Sequence, residues 1–303
     1  MNKNKIIKIV ALGVAAILLM VGGVVALIQA NKKDNPIETQ ALEYRLSADK
    51  TYYIVYGIGE STNPELVIPS TYQNLPVKEI ANYAFKDCDS LTSINVGANV
   101  TKIGLEAFSD CNNVVSISLN KNLQYIGSYA FQNCAALTNI TIPMGVSYLG
   151  GSIFYECTAL KSIAVSENNV NYKSLDGNLY TKDGTKLIQY APGKTETSFT
   201  TPAGVNKIDA YAFSYSKLTS VTISEGVNSI VFYAFANCEN LQQVIISKSV
   251  KNISKGAFSD CKALTSIRFT GTCSEWSEVK RGEDWVKGVL AQEVVCEDGV
   301  LAI

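Results

Sequence analysis

The chain of 303 residues has no histidine. Imidazole is the commonest general base near neutral pH and the commonest metal ligand, so Ser-His-Asp and Cys-His chemistry cannot be built from these residues alone. No Cys-x-x-Cys pair is present to suggest a zinc site, and no run of acids alternates in the manner of a calcium loop. Lys and Arg form no cluster. The formal net charge is -1, and five of the 26 basic residues (Lys3, Lys5, Lys8, Lys32 and Lys33) fall in the first 33 positions, where no acid occurs. The remainder is therefore mildly acidic and carries no electrostatic footprint for nucleic acid. Neither a cofactor nor a metal is expected, and catalysis is not.

Residues 9–28 form an uninterrupted run of uncharged, mostly apolar residues. As a helix rising about 1.5 Å per residue, it would match the roughly 30 Å hydrocarbon core of a bilayer. Basic residues flank the run on both sides and lean slightly toward a cytoplasmic N-terminus. The expectation is one N-terminal transmembrane helix within 1–30, a polar linker over 31–41, and a domain held outside the cell close to the membrane. A secretory signal cleaved near Ala26 or Ala30 is the alternative, with secretion as its outcome.

What fills the rest is a repeat. A unit of 23 residues, L-x-x-I-x-I-x-x-x-V-x-x-I-G-x-x-A-F-x-x-C-x-x, begins at Leu91, Val114, Leu137 and Leu160 and returns at Leu218, Leu241 and Leu264. The alternation Ile94/Val96, Ile117/Leu119, Ile140/Ile142, Val221/Ile223 predicts a short strand with one face inward. Val100, Ile103, Ala107, Phe108 and Cys111 show how the return path feeds the same core. No single unit can bury such a set, so neighbouring units must stack into a solenoid of roughly eight turns over 42–268.

With these residues in view, the segment Ile103-Gly104 to Cys111, repeated from Ile126-Gly127 to Cys134, resembles the BspA-like leucine-rich-repeat family of bacterial surface proteins. The opening stretch from Leu42 and the close F-T-G-T-x-x-E-W at Phe269–Trp276 are also similar to that family, so the resemblance covers about 42–298. It implies a β-rich solenoid, a right-handed leucine-rich-repeat superhelix, acting as a cell-surface interaction domain. Ser216 in place of the repeating Cys and Ile153 in place of the repeating Ala depart from the pattern and imply local repacking.

Two stretches break the period. Between about 166 and 198, Asp176-Gly177 and Asp183-Gly184 are strong two-residue turn signals and predict a projecting β-hairpin. The stretch 269–303 is expected to cap the open core, with Trp276 and Trp285 as covering hydrophobes. Cys88, Cys111, Cys134 and Cys157 recur once per turn, as do Cys238 and Cys261. Side chains aligned in parallel into a core predict a ladder of free thiols, leaving Cys273 and Cys296 as the better candidates for a disulfide. Tyr83, Tyr129, Tyr211 and Tyr233 share the position before Ala-Phe and read either as rings shielding the convex side or as a stacking stripe.

The alternate strand positions, Ser93, Asn95, Ser116, Ser118, Asn139, Thr141, Ser162, Ser220, Thr222, Gln243 and Arg268, should leave the sheet away from the core and form one continuous polar face. That face is the candidate binding surface of a monomer, for an extracellular protein or a glycan. A scaffold of the cell envelope without a dissolved ligand is the competing expectation.

Overall fold

The computed structural model describes residues 41–303, of which Leu42–Ile303 form one compact unit. The expected membrane span lies outside the described residues; among those described, no helix is long and apolar enough to cross a membrane.

Each turn carries a longer strand, a corner, a two-residue strand and a loop returning to the next turn. The longer strands are Glu65–Ile68, Ser93–Val96, Ser116–Ser118, Asn139–Ile142, Ser162–Val165, Ser198–Thr200, Ser220–Ile223, Gln243–Ile246, Ser266–Phe269 and Glu293–Val295. Stacking is parallel and in register with the repeat, as in Ile140 opposite Ile163 and Val221 opposite Val244. The short strands, such as Lys102–Ile103, Tyr125–Ile126 and Tyr148–Leu149, build a second parallel ladder. The solenoid runs to about 11 turns, beyond the eight expected. At the two ends an antiparallel strand stands beside the last parallel one, Glu43–Leu46 on Tyr53–Gly57 and Val300–Ala302 on Glu293–Val295, and the loops there lose the motif.

Inward positions are sealed. Ile94, Ile103, Phe108, Cys111, Ile126, Phe131 and Cys134 are all buried. The phenylalanines stack turn upon turn, with ring centroids 5.2 Å apart for Phe85 and Phe108 and 5.8 Å for Phe108 and Phe131. Glycine in the Ile-Gly pair is a consequence of this stacking. A Cβ on Gly127 would lie 2.5 Å from the carbonyl carbon of Gly104 in the turn below, so no other residue fits without moving backbone.

The loops carry two left-handed residues per turn. One precedes Ala-Phe, with φ of 61° at Tyr83, 49° at Glu106, 57° at Tyr129 and 56° at Tyr211; the other precedes the Cys, with 61° at Asp87, 63° at Asp110 and 52° at Asn133. Asp and Asn tolerate this region better than most residues, which explains their recurrence before the Cys. The four tyrosines thus occupy a position defined by backbone conformation rather than by shared ring chemistry. Glu106, Ser152 and Gly256 fill the same place in other turns.

The predicted hairpin forms but does not project. Tyr172–Leu175, Asn178–Thr181 and Lys186–Gln189 make a three-stranded antiparallel meander, and its last strand pairs in parallel with Lys207–Ile208. The Asp176-Gly177 turn, with φ of 50° and 73°, has the double positive geometry of a tight hairpin. Leu179, Tyr180, Leu187 and Tyr190 are fully buried. Leu179 belongs to the core of the first turns and Tyr180 to the core of the later ones, because consecutive strand residues point to opposite faces. The insertion is an internal partition, and the expectation of a free projection is corrected: its alternation is apolar on both faces.

At the C-terminal end, Thr272 caps the helix Cys273–Glu278 through a reciprocal pair of bonds with Glu275. Trp276 from that helix packs 5.1 Å from Phe269 and 5.7 Å from Trp285, while Trp285 meets Phe258 edge-on at 6.2 Å. Both tryptophans are buried and close the aromatic column.

Candidate functional site: the outward face of the long strands

None of the eleven outward positions is buried. Asn95, Ser116, Ser118, Asn139, Thr141 and Arg268 are exposed, and Ser93, Ser162, Ser220, Thr222 and Gln243 are half-buried between neighbours of the same row. Register aligns Ser93 with Ser116, Asn95 with Ser118, Asn139 with Ser162 and Ser220 with Gln243. The same rows hold residues that sequence reading passed over because they are apolar: Val67 lies opposite Asn95, Ala164 opposite Thr141, and Ile245 opposite both Thr222 and Arg268. Their positions in the repeat were signal enough. The face is therefore polar with apolar spots.

It is also not continuous, which corrects the expectation of a single sheet. The long strands fall into three sheets, with breaks after Ser118 and after Val165. At the second break the meander intervenes, since Ile163 donates its N–H to the carbonyl of Gly177 at 2.8 Å instead of meeting the next long strand.

The first break coincides with a residue that has no N–H to give. In three other turns the residue just past the strand donates to the turn before it, Ser166 to Ile142 (2.9 Å), Ser247 to Ile223 (3.1 Å) and Thr270 to Ile246 (2.9 Å), and Ser224 donates to the Thr201 hydroxyl (2.7 Å). In the turn that begins at Leu137 that residue is Pro143, which has no N–H to give. The bond that Val115 makes to Thr92 (2.9 Å) and Lys161 to Thr138 (2.8 Å) likewise has no counterpart from Thr138 to Val115 among the described residues. On the short-strand side the same two turns stay joined, Ser147 donating to Gln124 at 2.9 Å and Gly150 to Ile126 at 2.8 Å. The turns thus part on one side only.

At the parting lies a groove of about 420 Å³ lined by Ser118, Asn139 and Thr141 together with Leu119, Pro143 and Met144, and also by Lys121 and Ser166. The hydroxyls of Ser118 and Thr141 make no hydrogen bond among the described residues, and the Asn139 amide reaches only Thr138 at 3.1 Å. Three of the eleven expected residues are thus brought together in a concave site. At the far end of the face, Arg268 shares a smaller cavity of about 250 Å³ with Ile245, Thr270 and Glu297.

The thiols stay off this face. Every ladder Cys but Cys88 donates to the carbonyl of a Phe in an earlier turn, among them Cys111 to Phe85 (3.1 Å), Cys157 to Phe131 (3.0 Å), Cys238 to Phe213 (3.1 Å) and Cys261 to Phe235 (3.0 Å). Ser216 keeps the ladder's place and contacts Cys238 at 3.4 Å. All eight described cysteines are free, Cys273 and Cys296 among them. Burial pushes the Cys157 thiol up to about 12 and Cys134 well above its ordinary value, as expected where a thiolate would lose its hydration.

Six copies of the BspA type leucine rich repeat region match the sequence, over residues 78–179 and 193–279. The chain belongs to the BspA-type leucine-rich-repeat family. Among solved structures, the pneumococcal vaccine antigen PcpA is similar with a TM-score of 0.63 at 21% identity, covering 86% of this chain and 80% of that one. A leucine-rich repeat protein of T. pallidum gives 0.46 at 25% identity over 74% and 88% of the two chains. A leucine-rich cell surface protein of Faecalibacterium prausnitzii gives 0.41 at 22% identity over 79% and 96%. No curated protein matches. At these identities the likeness to PcpA concerns the fold.

Proposed function

We propose that this BspA-type chain is a non-catalytic interaction module that presents the outward face of its long strands to a protein or glycan outside a bacterial cell. The observation that carries the reading is the row of side chains that the fold leaves unused: the hydroxyls of Ser118 and Thr141 have no partner among the described residues, and Asn95, Ser116 and Arg268 are exposed on regular strands. A solenoid offers such a surface as a by-product of stacking. Among the described residues its core is packed with its own apolar side chains, and most of its polar side chains are displayed on the outside. Tethering through residues 9–28, with secretion after cleavage as the alternative, would put this monomeric face where such partners are.

An array of host and envelope proteins and glycans probed with the full chain tests the reading. Replacing Ser118, Thr141 and Thr222 together by Lys should leave the thermal transition in place and abolish capture. Capture of an obligate membrane partner that survives the triple replacement would favour an envelope scaffold, and no capture at all would sink the interaction module.

A further inference from the structure

Around the corner from the groove at Pro143 lies a second one, of about 570 Å³, between the short strands and the corners that precede them. Lys121 lines both. The second groove adds Lys78 together with Thr101 and the amides of Asn99, Asn122 and Gln124. Not one carboxylate lines either groove, in a domain that otherwise carries an excess of acids. Lys121 is exposed and makes no ion pair among the described residues. Lys78 rests 5.3 Å from the Tyr52 ring and is likewise outside any ion pair among them.

We propose that these two adjoining grooves bind an acidic oligosaccharide, a chain of hydroxyl-bearing rings with a carboxylate, with Lys121 as the central charge contact. The inference rests on the interaction-module reading and names its ligand class.

Size and chemistry decide between candidates. A polypeptide strand added between the parted lips would need about 9.6 Å of separation, twice the usual strand spacing of about 4.8 Å. Cα atoms of Ser116–Ser118 and Asn139–Ile142 approach within 8 Å, so the lips are too close for a third strand. Both grooves are within the roughly 300–1,000 Å³ range of small-ligand sites. Their lining supplies hydroxyls and amides, which both donate and accept and so match sugar hydroxyls. Two unpaired ammonium groups, with no acid to neutralise them, select a carboxylate over a neutral sugar by direct attraction. A uronate and a sialate present the same chemistry, and the probes separate them.

Titration of the full chain with hyaluronan tetrasaccharide and with sialyllactose, against lactose and acetate as controls, tests the assignment. At least one acidic oligosaccharide should bind tenfold or more tightly than lactose, and acetate should not compete at equal concentration. Lys121→Gln should bring that affinity down to the lactose level, and Lys78→Gln should lower it by a smaller factor. Pro143→Ala restores the missing donor and should weaken binding at least tenfold by closing the lips. If that variant fails to fold, the exposed Lys121→Gln carries the test alone. Equal affinity for lactose and both acidic sugars, or no loss in Lys121→Gln, overturns the assignment. Array capture of a protein or neutral glycan that is lost in the triple Lys variant but kept in Lys121→Gln would overturn it too, while leaving the interaction-module reading in place.

Discussion

The thiol of Cys134 donates to the carbonyl of Phe108 at 3.3 Å, one turn away. Sulfur is thereby held by backbone of the neighbouring turn and not by the next sulfur in the column. Alkylation of the native protein at pH 8 should spare Cys111, Cys134, Cys157, Cys238 and Cys261, while alkylation after unfolding should label all of them. Detection of inter-turn disulfides by mass spectrometry would contradict the ladder.

The Cys157 thiol sets an alkaline limit. In the native state the Cys157 thiol is raised to about 12 from 9.0, so the unfolded chain releases this proton first as pH rises. Stability from this term is complete below about pH 9 and declines between pH 9 and 12. The denaturant midpoint should fall over that interval, and Cys157→Ala should make the fall shallower.

Tyr190 stands in the aromatic column, stacked 5.2 Å from Phe213, yet its hydroxyl is the one buried side-chain polar atom without a partner among the described residues. Replacing a buried, unsatisfied hydroxyl by hydrogen removes a desolvation penalty of about 1–3 kcal/mol. Tyr190→Phe should therefore raise the urea midpoint or leave it unchanged. A clear loss of stability would mean that the hydroxyl has a partner.

Gly127→Ala should destabilise by about 1–3 kcal/mol, because its Cβ meets backbone of the Gly104 turn, which cannot rotate away as a side chain would. The matching change at Gly151, where a Cβ meets nothing within 4 Å, should be nearly silent. Parallel urea titrations of the two variants make the comparison.

Removing residues 174–190 should prevent cooperative folding, since it takes out Leu179 from one core and Tyr180 and Leu187 from the other. Circular dichroism of the shortened chain would show this directly. A deletion that folds with an unchanged transition would restore the projecting hairpin.

What could be read from the sequence was what recurs at a fixed period with one chemistry. Ile94, Phe108 and Cys111 announce their places because every turn repeats them. The left-handed residues escape such reading because Tyr129, Glu106 and Ser152 share a backbone angle and nothing else. The meander's two turns were legible in Asp176-Gly177 and Asp183-Gly184, but a turn signal does not say whether the strands it joins face water; Leu179 and Tyr180, adjacent and both apolar, were the residues that did. For the candidate face, the strand positions were legible and its interruption was not. Pro143 was visible, yet its effect depends on a bond that only the stacked turns reveal.

The partition formed by Leu179 and Tyr180 bears on how such a chain changes length over generations. Each half ends against a wall of its own, so gaining or losing a unit on one side leaves the fit on the other side untouched. A lineage carrying this wall can add turns to the first half without touching the core behind the tryptophan-closed end.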